Sequence, residues 1–108
     1  MSKLLIIEEN LLANVFIADT FLNRFMGYMF RKEPHHETLM IKPCNSIHTF
    51  FMKFNIDVLF VNKDMEVIKK VENLKPGKVI IPVKEAFAVI EGEAGKFKNV
   101  IIGDKIDT

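Results

Sequence analysis

The sequence predicts a mainly β fold with an α+β margin: one coiled, barrel-like domain of about seven or eight short strands with a single helix near residues 20–27. Three observations lead there. Short apolar or alternating runs, rich in β-branched and aromatic residues, recur with turn residues between them. Only one stretch spaces its apolar residues three and four apart. And 108 residues at 49% hydrophobic can bury roughly two thirds of the surface of the extended chain, enough for one core without disulfides or metal.

Taken in order, Lys3–Ile7 and Leu11–Ile17 are two short runs separated by Glu8, Glu9 and Asn10, the pattern of an opening hairpin. The helix follows. Asp19 or Thr20 can cap its first amides, Leu22, Phe25 and Met26 share one face, and Gly27 ends it. A polar loop with Pro34, His35, His36 and Glu37 leads to a short strand over Thr38–Ile41 that stops before Pro43. The strongest β signal spans Ser46–Val61, either one bent strand or two meeting near Asn55. Asn62-Lys63-Asp64 turns the chain, and the returning strand from Met65 to Val71 places Met65, Val67, Lys69 and Val71 on one side. Lys75-Pro76-Gly77 is a further turn. Val79–Val83 makes a strand whose Pro82 belongs at an edge or bulge, and Ala86–Glu91 another. A loop or helical turn covers Gly92–Phe97, and Gly103-Asp104 is a tight turn inside Val100–Ile106.

No repeat or linker interrupts the chain, so one domain over residues 1–108 is expected. Fifteen Lys plus Arg against 14 Asp plus Glu give a net charge of +1, which predicts neither a nucleic-acid nor a membrane partner. No apolar run is long enough for a signal peptide or a transmembrane helix. With one cysteine, Cys44, the expected setting is the reducing cytoplasm. No phosphate-cradling glycine motif and no nucleophile elbow occur, and no cofactor is expected.

Two stretches carry a family resemblance. Ala18-Asp19-Thr20 leads into Arg24, Gly27, Met29, Phe30 and Arg31; then come Ile47-His48-Thr49-Phe50-Phe51-Met52-Lys53-Phe54, Ile56-Asp57-Val58 and Phe60. With Leu74, Pro76-Gly77, Ala86, Val89, Glu91, Gly95 and Gly103-Asp104 in order, the chain from Phe16 to Ile106 resembles the domain of unknown function 192 family of small bacterial and archaeal proteins. Asn55 stands where the family's signature has proline, and Phe21 replaces another proline at the helix start. The resemblance implies a largely β fold with strongly coiled sheets and no particular reaction.

The residues that could carry chemistry are few. Alternation puts Ser46, His48, Phe50, Met52 and Phe54 on one strand face, so His48 is either a base or ligand group in an apolar pocket or a buried histidine satisfied by backbone. The other face then needs cover as well, from a subunit or ligand. Asp57, alternating with Leu59 and Val61, needs a cation or several backbone amides, and Lys53, Arg24 and Arg31 are the candidate cations. The two arginines offer planar forks to a small anion or tie the helix to the sheet. Cys44 lies eight or nine residues from His36 and His35, so no metal site is expected. A Cys44 nucleophile with His48 as base would require a sharp turn at Asn45.

The expected function is therefore a non-catalytic accessory module binding a small molecule or peptide, with Arg24, Arg31, His48, Phe50, Met52, Lys53 and Asp57 as the candidate ligand-binding residues. A hydrolase using His48 and Asp57, with an arginine anchoring an anionic substrate, is the alternative. A self-associating structural protein, with homo-oligomer contacts over the phenylalanine strand, is the second.

Overall fold

The computed structural model describes residues 2–7, 10–18 and 37–107. The fold is mainly β. Nine strands are described: β1 Ser2–Ile7, β2 Asn10–Ala18, β3 Thr38–Ile41, β4 Ile47–His48, β5 Ile56–Val61, β6 Val67–Leu74, β7 Val79–Ile80, β8 Ala88–Glu93 and β9 Ile106–Asp107. Seven of them form one sheet in the order β6-β5-β8-β3-β2-β1-β9, while β4 and β7 make a separate two-stranded ribbon.

β1 and β2 pair antiparallel as the expected hairpin, with an irregularity between Leu5 and Ile6. β2 and β3 are parallel, which demands a long crossover connection. That connection is where the sequence predicts its helix. Residues 19–36 lie outside the described residues, and the helix near 20–27, Arg24, Arg31, His35 and His36 lie there with them.

Both faces of the central strands β3, β5 and β8 are covered. Met40, Leu59, Val61 and Ile90 face one core, closed by Phe97, Val100 and Ile106. Leu39, Val58, Phe60 and Val89 face the other, closed by Ile47 and Met52. β5 sits between β6 and β8, so all six of its residues are buried and its sequence reads as a continuous apolar run broken only by Asp57.

Three expectations change. The sheet coils without closing into a barrel: its outer strands approach at the single bridge Glu66↔Lys105, where the Val67 amide donates to the Asp104 carbonyl (2.8 Å). The returning strand does not keep one face, because the ladder shifts register between Phe60 and Val61; Val67 packs in the first core and Val71 against the second. The run from Ser46 to Val61 is neither one bent strand nor two strands meeting at Asn55. Its first half is strand only over Ile47–His48, and residues 49–55 are turn and coil. Among the described residues no helix is long and apolar enough to cross a membrane.

Candidate functional site

The β4–β7 ribbon is held face-down by its apolar side. Ile47 pairs with Ile80 and both pack on the second core, while His48 pairs with Val79 on the outward side. Thr49 then anchors the chain from inside. Fully buried, its hydroxyl donates to the Lys75 carbonyl (2.7 Å) and accepts from the Lys78 amide (2.8 Å), and its own amide donates to the Lys78 carbonyl (2.8 Å). The Lys75-Pro76-Gly77-Lys78 turn is thereby fixed against the turn that carries the phenylalanines.

That second turn departs from the alternation the sequence suggests. In a strand, successive side chains alternate between faces. Here Phe51 takes φ 65°, a left-handed conformation that costs an aromatic residue on the order of 1 kcal/mol. Both phenylalanines consequently turn outward, Phe50 44% and Phe51 62% exposed, and Met52 drops into the core. Val79 (59%) and Ile81 (75%) complete a solvent-facing apolar surface. His48 is exposed beside it, its ring stacked on Phe50 with centroids 5.3 Å apart, its Nδ1 accepting the Phe50 amide at 3.2 Å. The shared face of His48, Phe50, Met52 and Phe54 is therefore corrected: Met52 is buried and Phe54 half-buried, and the imidazole lies on an open surface rather than in a pocket.

Asp57 has a different environment. It is buried; Oδ1 accepts the Asn73 amide (2.9 Å), and Oδ2 accepts the amides of Gly95 (2.9 Å) and Phe97 (3.2 Å). Among the described residues its partners are backbone amides and Lys53 stays exposed, while Arg24 and Arg31 lie outside the described residues. Opposite Asp57 in the ladder, Gly92 lets the Phe97 segment fold down, since a Cβ there would sit 3.1 Å from the Phe97 ring. Asp57 alternates with Leu59 of the first core, whereas β4 packs on the second, so the imidazole and this carboxylate lie on opposite sides of the sheet. No His48–Asp57 dyad is assembled.

Cys44 and His48 do not form a pair either. The thiol donates to the Ser46 carbonyl (2.9 Å) and lines an open depression of about 250 Å³ with Pro43, Asn45, Ala86 and Phe87. Among the described residues, no group of three His, Cys, Asp or Glu side chains could hold a metal ion.

Two features escaped the sequence reading. Glu91 is fully buried in the ladder between Leu39 and Val58, and burial pushes its carboxyl pKa from 4.5 up to about 8. Its signal was a carboxylate continuing the apolar run Ala88-Val89-Ile90. Val79 and Ile81 are the other: two apolar residues at period-two spacing beside an edge proline share the face that turns to solvent.

The structure so far defines a small β domain with two covered cores and one apolar ribbon left facing solvent. The chain belongs to the domain of unknown function 192 family (DUF192, Uncharacterized ACR), whose profile matches residues 5–108. It is similar to a UPF0127 protein of Pyrococcus abyssi, 39% identical over 98 residues, covering 84% of this chain and 82% of that one. A UPF0127 protein of Pyrococcus horikoshii is likewise 39% identical over 97 residues, covering 83% of each. A crystal structure of a protein of unknown function from Novosphingobium aromaticivorans shares the fold, with a TM-score of 0.83 at 19% identity over 99% of this chain and 85% of that one.

Proposed function

We propose that this protein is a non-catalytic binding module whose contact surface is the outward side of the β4–β7 ribbon with the Phe50–Phe51 turn. One observation supports the reading: Phe50, Phe51, Val79 and Ile81 are exposed together on a scaffold whose two cores are already filled. Scattered exposed hydrophobes are ordinary, but four around one ribbon, one of them held in a strained backbone, are not needed for folding. The surface suits a broad apolar partner better than a small enclosed ligand. A hydrolase is not favoured, because both Asp57 oxygens are engaged by backbone amides.

Site-specific photo-crosslinking in cells tests this. A photoreactive residue at Ile81 gives discrete adducts, and one at Asp64, exposed in the turn between β5 and β6, does not. Equal labelling at both positions, or none at either, would refute the reading.

A further inference from the structure

We propose that the partner of this surface is an anionic lipid bilayer, with Phe50, Phe51 and Ile81 entering the headgroup–acyl boundary while Lys53, Lys75, Lys78 and Lys84 meet the lipid phosphates. The inference rests on the binding reading above and adds the chemistry of what is bound.

Charge carries it first. The two segments that build the surface, residues 46–54 and 75–84, hold four lysines, all exposed, and none of the chain's 14 acidic residues. Glu85 is the next acid along the chain. A whole-chain charge near zero conceals this segregation. Clusters of four or more basic residues beside apolar anchors are what the negative surface of a bilayer attracts. Thr49, through its bonds to the backbone of Lys75 and Lys78, keeps the lysine-bearing turn against the aromatic one.

Shape and side-chain type carry it further. The rings project from a turn, and the open depression lined by Pro43, Cys44, Asn45, Ala86 and Phe87 includes none of these side chains. A protruding pair of rings enters a soft boundary without needing a complementary cavity. Two other occupants fit less well. A second copy would bring like charges face to face. A single-stranded nucleic acid would use the rings and lysines but has no use for the aliphatic Val79 and Ile81.

The test is co-sedimentation of the purified protein with vesicles of phosphatidylcholine alone or mixed in equal parts with phosphatidylglycerol. The protein binds the mixed vesicles, binds phosphatidylcholine weakly, and is released by salt. Each Lys→Gln change at Lys53, Lys75, Lys78 or Lys84 weakens binding about fivefold, and F50S/F51S abolishes it. The lysine variants, surface changes with no core contact, keep the test informative should the phenylalanine variant not fold. Failure to bind mixed vesicles overturns the proposal, as does equal binding to both vesicle types or lysine-dependent capture of oligothymidine instead. The Ile81 crosslink separates this failure from that of the underlying reading: protein or nucleic-acid adducts overturn the bilayer and keep the surface, whereas no adduct removes both.

Discussion

Replacing Asp57 by asparagine changes one carboxylate oxygen into an NH₂ group and leaves the volume unchanged. The structure says what that atom does: Oδ1 takes one backbone amide, from Asn73, and Oδ2 takes two, from Gly95 and Phe97. The best orientation of the amide keeps its oxygen on Gly95 and Phe97 and sets a donor against the Asn73 N–H. One charge-assisted bond is lost and two are weakened, for about 2–3 kcal/mol in all. Asp57→Ala removes the acceptor for all three amides and costs about 4–5 kcal/mol. Both are large against the roughly 5–15 kcal/mol that holds a domain of this size together. Urea unfolding followed by circular dichroism reads the loss as a lower midpoint at unchanged slope. Hydrogen exchange should localise it to the Asn73 amide in Asp57→Asn and to the Asn73, Gly95 and Phe97 amides in Asp57→Ala. An Asp57→Asn protein within about half a kcal/mol of wild type would show that these bonds do not carry the stability assigned to them.

Three further changes follow from the same geometry. Glu91 holds its proton to about pH 8 in the folded chain and releases it near 4.5 when unfolded, so stability is greatest below the lower value and falls as pH rises through the window, by about 5 kcal/mol in total; Glu91→Gln should flatten that slope, and parallel stability–pH curves for the two proteins would contradict it. Lys70 donates from Nζ to the carbonyls of Phe97 (3.0 Å), Lys98 (3.3 Å) and Val100 (2.7 Å), tying the loop that closes the first core to β6. Lys70→Met keeps the stem, costs about 2 kcal/mol and speeds amide exchange over residues 97–100, whereas unchanged exchange there would show that the loop is held otherwise. Thr49→Val is nearly isosteric but removes the hydroxyl shared by Lys75 and Lys78, for about 2 kcal/mol, and should raise exchange at the Lys78 amide selectively; a uniform loss of protection would point to a general packing defect.

Much of the architecture could be read from the residues. The opening hairpin, β3, β5 and β8 fall where apolar runs and turn residues place them; β3, β5 and β8 are covered on both faces and announce themselves by continuous hydrophobicity. What the residues hid were choices made by distant parts of the chain. Asp57 was recognisable as a carboxylate needing amides or a cation, but the amides come from Asn73, Gly95 and Phe97, which no local spacing connects to it. The alternation of Ile47–Phe54 reads as strand because aromatic and β-branched residues favour strands wherever they fall. The turn that interrupts it is forced by the buried hydroxyl of Thr49 and the left-handed Phe51, with no glycine, proline or asparagine between Thr49 and Met52 to signal it. Charge was hidden by averaging. A balance of 15 against 14 says nothing of where the lysines gather once the 75–78 turn is fixed beside Thr49.

Phe51 is where folding and function can be separated. Glycine adopts φ 65° without strain, and the side chain it replaces is 62% exposed. The decisive measurement is the crosslinking yield at Ile81 in Phe51→Gly relative to wild type, taken beside the unfolding midpoint of each. A yield several-fold lower with a midpoint unchanged or raised is the predicted result. An unchanged yield, or a midpoint that falls by the equivalent of about 2 kcal/mol, would mean that the exposed ring serves the fold and not a partner.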